Sequence, residues 1–378
     1  MPVKVYDGTN WVTVAGDGAQ GATGASGTAP LTTKGDLLGF DTAANRVAVG
    51  TDGQSLVAGS TATAGIRWQD TYAAGKNKII NGDFGVWQRG TSFAAAANNI
   101  YTADRWTVQT SGTGVTISQQ TFTPATAPVS GYEGTYFLRV ANDGTSATAR
   151  IGQPIEDVRV FAGQTVTLSF WAKSATADAF GTSYILQTFG SGGSTQVATS
   201  LGTMPTLTSS WARYSITVAV PSVSGKTIGT SSSITFQLRF KASAAYDIDL
   251  WGVQLESGSV ATPFTTATGT IQGELAACQR YYYQSDAQIW TNLQYQSNVA
   301  VSRGTTLFLP QFMRVAPTLT FFDSPGTSGR VSVSASSGGY SDNITPNVFG
   351  QNSNAYAYYV SGSYVLGYTS KITASAEL

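Results

Sequence analysis

The chain has no histidine, one cysteine in 378 residues, and only 11% charged residues. Without histidine it cannot form a Ser-His-Asp triad, a Cys-His pair, a histidine-ligated zinc site or a histidine general base. Most hydrolase mechanisms are thereby removed. Cys278 has no partner in the chain, which excludes an intrachain disulfide and a secreted disulfide framework; a buried thiol is the expectation. The opening residues carry no apolar signal core, and no run of ~18 apolar residues could cross a bilayer as a helix. Cytoplasmic synthesis without a signal peptide, release by lysis and no membrane insertion are therefore expected. Basic and acidic residues number 21 each, so the electrostatic footprint of a general nucleic-acid binder is missing.

What the chain does have is apolar residues at 42%, enough for real cores in two or three domains, and 42 glycines. Ser, Thr, Asn and Gln must do the solvating. In residues 1–75, Val3 to Tyr6 and Trp11 to Val14 flank Asp7-Gly-Thr-Asn10 as the arms of a small hairpin would. Gly18, Gly21, Gly24 and Gly27 then recur every third residue over 18–29, a collagen-like signature, because only glycine fits the axis of three wound polyproline-like chains. A flexible Gly/Ala linker is the other reading, and both stay open. Residues 31–70 alternate short apolar pieces with glycine turns, too thin to bury a core except by stacking on copies of themselves.

Residues 76–266 read as all-β: short runs rich in Val, Ile, Thr, Phe and Trp, bounded by Gly, Ser and Pro. Alternation predicts that Val166, Leu168, Phe170 and Ala172 face inward, with Thr167, Ser169, Trp171 and Lys173 outward. It likewise turns Ile234, Phe236, Leu238 and Phe240 inward and Gln237, Arg239 and Lys241 outward. Tyr214, Ile216 and Val218 point in, leaving Trp211 and Arg213 outside. A two-sheet sandwich, most simply a jelly roll, accommodates such strands. Residues 267–378 form a further β-rich unit, opened by a helical turn at Gln272 to Arg280 and rich in tyrosine.

Candidate chemistry follows from these faces. Sugars are recognised by aromatic faces flanked by hydrogen-bonding side chains, and Trp171, Trp211, Arg213, Gln237 and Arg239 supply that combination. Contact with a neighbouring domain or subunit is the rival role for the two tryptophans. Between Arg159 and Tyr246 the only acid is Asp178, against Arg159, Lys173, Arg213, Lys226, Arg239 and Lys241 as bases, so a ligand held there would be anionic. Tyr356 and Tyr358 in the last unit could offer amphipathic contacts to a receptor. A glycosidase needs two positioned carboxylates, and no convincing pair is visible among the scattered acids. A non-enzymatic protein is expected.

Several motifs carry a resemblance. Thr32-Thr-Lys-Gly-Asp-Leu-Leu38, Val49-Gly-Thr-Asp-Gly-Gln-Ser-Leu56 and Gly65-Ile-Arg-Trp-Gln69 resemble the shaft or attachment module of bacteriophage tail fibres. Ile79-Ile-Asn-Gly-Asp-Phe84 together with Asp247-Ile-Asp-Leu-Trp-Gly-Val-Gln-Leu-Glu256 resembles the opening and closing strands of jelly-roll carbohydrate-binding modules and their relatives in phage tail proteins. Cys278-Gln-Arg-Tyr-Tyr-Tyr283 and Leu309 to Thr318 are similar to distal domains of phage receptor-binding proteins. The resemblance implies a homotrimeric virion fibre, joined to tail or baseplate proteins through its N-terminus and binding a host-surface polysaccharide. It implies no required cofactor, and a structural calcium near Asn81, Asp83 and Asp249 as an option. Leu250 and Gly85 stand where those modules often carry acids, which weakens the metal. A polysaccharide-depolymerising tailspike and a head or neck decoration protein remain alternatives, and a cellular surface lectin is disfavoured by the missing signal peptide.

Overall fold

The computed structural model describes residues 4–13, 31–40, 44–50, 54–70, 75–94, 98–129, 132–177, 179–285, 289–292, 305–323, 326–335, 340–344, 347–349, 355–359, 364–369 and 371–378. The glycine triplets at 18–29 and Asp178 lie outside these residues. Two compact units divide the chain, Met1–Thr71 and Tyr72–Leu378.

The first unit consists of two-stranded antiparallel ladders. Strands β1 (Lys4–Tyr6) and β2 (Trp11–Thr13) make the expected hairpin, its turn held by Asp7 Oδ1, which accepts from the Thr9 and Asn10 N–H groups at 2.8 and 2.7 Å. β3 (Leu37–Phe40) pairs with β4 (Ala44–Val47), and β5 (Gln54–Ala58) with β6 (Ile66–Asp70). The Trp68 indole donates to the Ala48 carbonyl at 2.7 Å. Two-stranded ladders cannot bury both faces, and Trp11, Leu38, Phe40 and Leu56 are exposed.

The second unit is built on a sandwich of twelve strands: β7 (Ser92–Phe93), β8 (Ile100–Tyr101), β9 (Thr107–Ser111), β10 (Val115–Thr121), β11 (Tyr136–Asp143), β12 (Thr148–Ile155), β13 (Thr165–Lys173), β14 (Tyr184–Thr188), β15 (Val197–Ser200), β16 (Ala212–Ala219), β17 (Ser233–Phe240) and β18 (Ala245–Ser257). One antiparallel sheet has the order β16-β13-β18-β11-β10-β7, the other β15-β14-β17-β12-β9-β8. The chain crosses repeatedly between them, as in a jelly roll. Between the sheets lie the residues that alternation turned inward: Val166, Leu168, Phe170 and Ala172 from β13, and Ile234, Phe236, Leu238 and Phe240 from β17, around Trp106 and Ile117.

The outer face of the first sheet is also apolar. Opposite β13, strand β18 carries a bulge: Ser169 pairs with Gln254 but Trp171 with Trp251. Gly252 takes φ +61° there, a backbone conformation that glycine adopts without penalty. The bulge breaks the alternation of β18, so that Leu250 and Val253 both enter the main core while Trp251 turns to the opposite side. On that side Trp251 joins Phe122, Phe137, Trp171 and Phe264 in a second cluster, contributed in part by the segments before β11 and after β18.

Helix α1 (Ile271–Gln279) confirms the expected helical turn, and Thr270 caps it by accepting from the Gly273 N–H at 3.1 Å. Cys278 is free and buried, as its isolation in the sequence implied. Beyond it, Tyr282–Gln284, Lys371–Ser375 and Thr318–Phe322 form a small sheet over Leu309, Met313, Phe321 and Ile372. These last residues are pinned to the sandwich by buried charge. Glu377 receives Arg89 at 2.9 Å and also pairs with Arg105, while Arg89 reaches Asp104 at 3.0 Å. The Arg105 guanidinium lies 3.5 Å from the centre of the Tyr281 ring, and Tyr281 Oη donates to Glu156 at 2.6 Å.

Candidate functional site

The outer face of the second sheet is polar and carries a cleft of about 630 Å³. Its floor follows from strand parity. β17 turns Ile234, Phe236 and Leu238 into the core, so Ser233, Thr235, Gln237 and Arg239 must face the cleft. Strand register then sets rows across the sheet. Gln109 of β9, Arg150 of β12 and Arg239 of β17 stand side by side. The next row runs Thr107, Gly152, Gln237 and Tyr184. At Gly152 a Cβ would lie 2.4 Å from the Phe236 carbonyl oxygen, so β12 and β17 meet there only because the side chain is absent.

Hydrogen bonds order the polar groups. Gln237 Nε2 donates to Gln109 Oε1 at 3.2 Å, and Arg239 Nε donates to Gln237 Oε1 at 3.1 Å. The Arg239 guanidinium lies 4.7 Å from the centre of the Tyr184 ring. Arg150 Nε is buried without a hydrogen-bond partner. Burial, together with the Arg239 charge beside it, pulls the Arg150 guanidinium below its ordinary value. No Asp or Glu lines the cleft. Among the described residues neither arginine belongs to an ion pair. A second depression of about 320 Å³ shares Arg150, Tyr184 and Arg239, so the pair forms a ridge between two hollows.

The residues expected to hold a glycan separate into two groups. Gln237 and Arg239 lie in the cleft, whereas Trp171, Trp211 and Arg213 belong to the first sheet or its edge, outside the cleft lining. Trp171 points away from the main core as alternation required, yet it is only 9% exposed, packed between Trp251 and Phe264. Its expected role as an open stacking platform is corrected accordingly: the outer aromatic layer covers it. Trp211 stays half-buried against Phe122 and Phe137. Arg213 lies 4.7 Å from the Trp171 ring centre and donates to Ser169 Oγ at 3.1 Å and to the Thr262 carbonyl, so its polar contacts are internal. Tyr356 and Tyr358 fall in a strand, Ala355–Tyr359, with side chains outside the described residues. Sequence reasoning missed Arg150, although its place in Thr148-Ala-Arg-Ile-Gly was a signal: Ala149 and Ile151 flank it as inward residues.

Each of the three candidate calcium ligands is engaged by protein groups. Asn81 is buried at φ +58°, where its amide donates to the Val86 and Asp104 carbonyls and its oxygen accepts the Val86 N–H. Asp249 is held by Arg139 at 2.6 and 2.9 Å and by Lys173 at 3.5 Å. Asp83 accepts from Tyr132 Oη at 3.1 Å. Calcium wants several free oxygens at one point, and this donor set does not fit it; among the described residues no group of three or more acids, cysteines or histidines could hold a metal. Asp83 does border a separate depression of about 480 Å³ with Tyr132, Glu133 and Ile271, and burial pushes its carboxyl up.

No protein-family model matches the chain, and no curated protein matches it. Among solved structures the chain is similar to a family 16 carbohydrate-binding module, at 16% identity over 38% of this chain and 84% of that one, with a TM-score of 0.24. The CBM22-1 xylan-binding domain from Paenibacillus barcinonensis Xyn10C is similar at 17% identity over 45% of this chain and 94% of that one, TM-score 0.29. The enzymatically active domain of bacteriophage CBA120 tailspike protein 4 is similar at 17% identity over 48% of this chain, TM-score 0.30, and the match spans only 22% of that domain's chain. At such scores the likeness carries no weight for function.

Proposed function

We propose that the protein is a non-enzymatic fibre of a phage virion that holds a host-surface glycan in the cleft over β12, β14 and β17. The observation that carries this reading is the cleft itself: a hydrogen-bonded chain of Gln109, Gln237 and Arg239, with the Tyr184 ring beside it, offers hydroxyl-binding donors and acceptors on a rigid sheet. No Asp or Glu side chain lines the cleft, whereas glycoside hydrolysis needs a positioned pair of them, and this favours binding over hydrolysis. Trimerisation and attachment to tail or baseplate proteins belong to the same proposal. Its support is the first unit, whose thin ladders leave Leu38, Phe40 and Leu56 exposed for burial by other chains. Tyr356 and Tyr358 stay in the proposal as distal receptor contacts.

The test is adsorption of the purified full chain to host cells. Gln237→Ala should weaken it, with no oligosaccharide released into the medium and about three chains per particle in light scattering. Adsorption unchanged by Gln237→Ala, or a persistent monomer, would refute the corresponding part. Depolymerase activity is the second reading, and one observation favours it: Asp83, with its raised pKa, sits in a depression beside Glu133. Oligosaccharide release abolished by Asp83→Asn would establish it. Labelled antibody at the capsid rather than the tail would point to a decoration protein.

A further inference from the structure

Of the basic residues that the sequence placed between 159 and 246, Arg159 pairs with Asp157, Lys173 with Asp249, and Arg213 turns to Ser169 and Thr262. Arg239 differs, because it stands directly opposite Arg150 on neighbouring strands. Like charges directly opposed across a sheet destabilise it, and here no Asp or Glu side chain lies in the cleft lining to offset them. Arg239 already spends Nε on Gln237, whereas Arg150 has a buried Nε with no acceptor. Two guanidinium groups on one ridge, one with an unmet donor, present the chemistry of an anion receptor. Guanidinium forks match planar carboxylates and tetrahedral oxyanions with paired hydrogen bonds.

We infer that the cleft selects an acidic polysaccharide, whose sugar-borne anionic group bridges Arg150 and Arg239 while neutral hydroxyls meet the Gln109–Gln237 pair. This inference rests on the glycan-binding reading above and adds its ligand class. Carboxylate-bearing and sulfate- or phosphate-bearing sugars share the chemistry, so the experiment must separate them.

The full chain is applied to an array of purified bacterial polysaccharides grouped as neutral, uronate-bearing, and sulfate- or phosphate-bearing, and hits are titrated calorimetrically. Arg150→Gln and Arg239→Gln are compared with Thr235→Trp, which fills the cleft from the outward face of β17. The expected result is binding to acidic glycans, weakened at least tenfold by either glutamine variant, lost in Thr235→Trp and partly kept in Arg150→Lys; the group that binds identifies the anion. Binding of neutral and acidic glycans alike, blocked by Thr235→Trp but unmoved by the glutamine variants, would overturn the inference and keep the glycan reading. Binding that Thr235→Trp does not touch would remove the cleft from glycan recognition, and the inference with it. Thermal melting of each variant distinguishes these outcomes from misfolding.

Discussion

Replacing Trp171 with alanine separates a structural tryptophan from a ligand platform. The side chain is 9% exposed; an indole that buries on the order of 200 Å² at ~25 cal/mol/Å² corresponds to roughly 5 kcal/mol of transfer free energy. Its ring also packs at 5.6 Å from Trp251, and the Arg213 guanidinium lies over it at 4.7 Å. Partial collapse of Phe264 and Trp251 into the space would recover some of this. Deletions of buried aromatic side chains cost about 3–5 kcal/mol, and a loss of about 4 kcal/mol is expected here, a large share of the ~5–15 kcal/mol that holds a typical domain folded. Urea denaturation of the full chain, followed by circular dichroism through the transition of the sandwich, measures it. Trp211→Ala, half-buried at the cluster edge, should cost about 1–2 kcal/mol by the same area scale. Trp171→Phe keeps part of the ring and provides a folded comparison if the alanine variant does not fold. A Trp171→Ala protein destabilised by less than about 1 kcal/mol, yet unable to adsorb to cells, would refute the packing argument and return Trp171 to the ligand site.

Burial pushes the Asp104 carboxyl from the ordinary 3.8 up to about 6, although Arg89 pulls it down. A folded carboxyl that keeps its proton longer than the unfolded one contributes stability that is full below about pH 4 and lost as pH rises through about 6. Asp104→Asn should therefore flatten the fall in melting temperature across that window; an unchanged pH profile would show that Asp104 does not titrate there. Arg150→Gln, by relieving the opposed arginines, should leave the ligand-free protein as stable as before or more stable by up to about 1 kcal/mol, and a clear drop in melting temperature would contradict the repulsion. Because Asn81, Asp83 and Asp249 are engaged elsewhere, a chelator should not shift the melting temperature, whereas Asp249→Ala should lower it by stranding Arg139; a chelator-induced shift reversed by calcium would overturn that reading.

Period-two alternation was sufficient to assign the inward faces of β13 and β17, and lone Cys278 and a helical turn at 272–280, found at 271–279, were legible for the same reason: each depends on the residue and its near neighbours. Alternation reports a side, though not what covers it. Trp171 and Gln237 both read as outward; one is sealed by Trp251 and Phe264 and the other lines a cleft, a difference fixed by the bulge at Gly252 and by chain segments distant in sequence. Asp249 looked available for a metal until folding brought Arg139, 110 residues earlier, within 2.6 Å. Arg150 gained its meaning only when β12 and β17 paired in the register that sets it against Arg239. Faces of strands are local and were written in the sequence; coverings, ion-pair partners and the opposed arginines are products of non-local sheet pairing, where free energy depends on which surfaces meet.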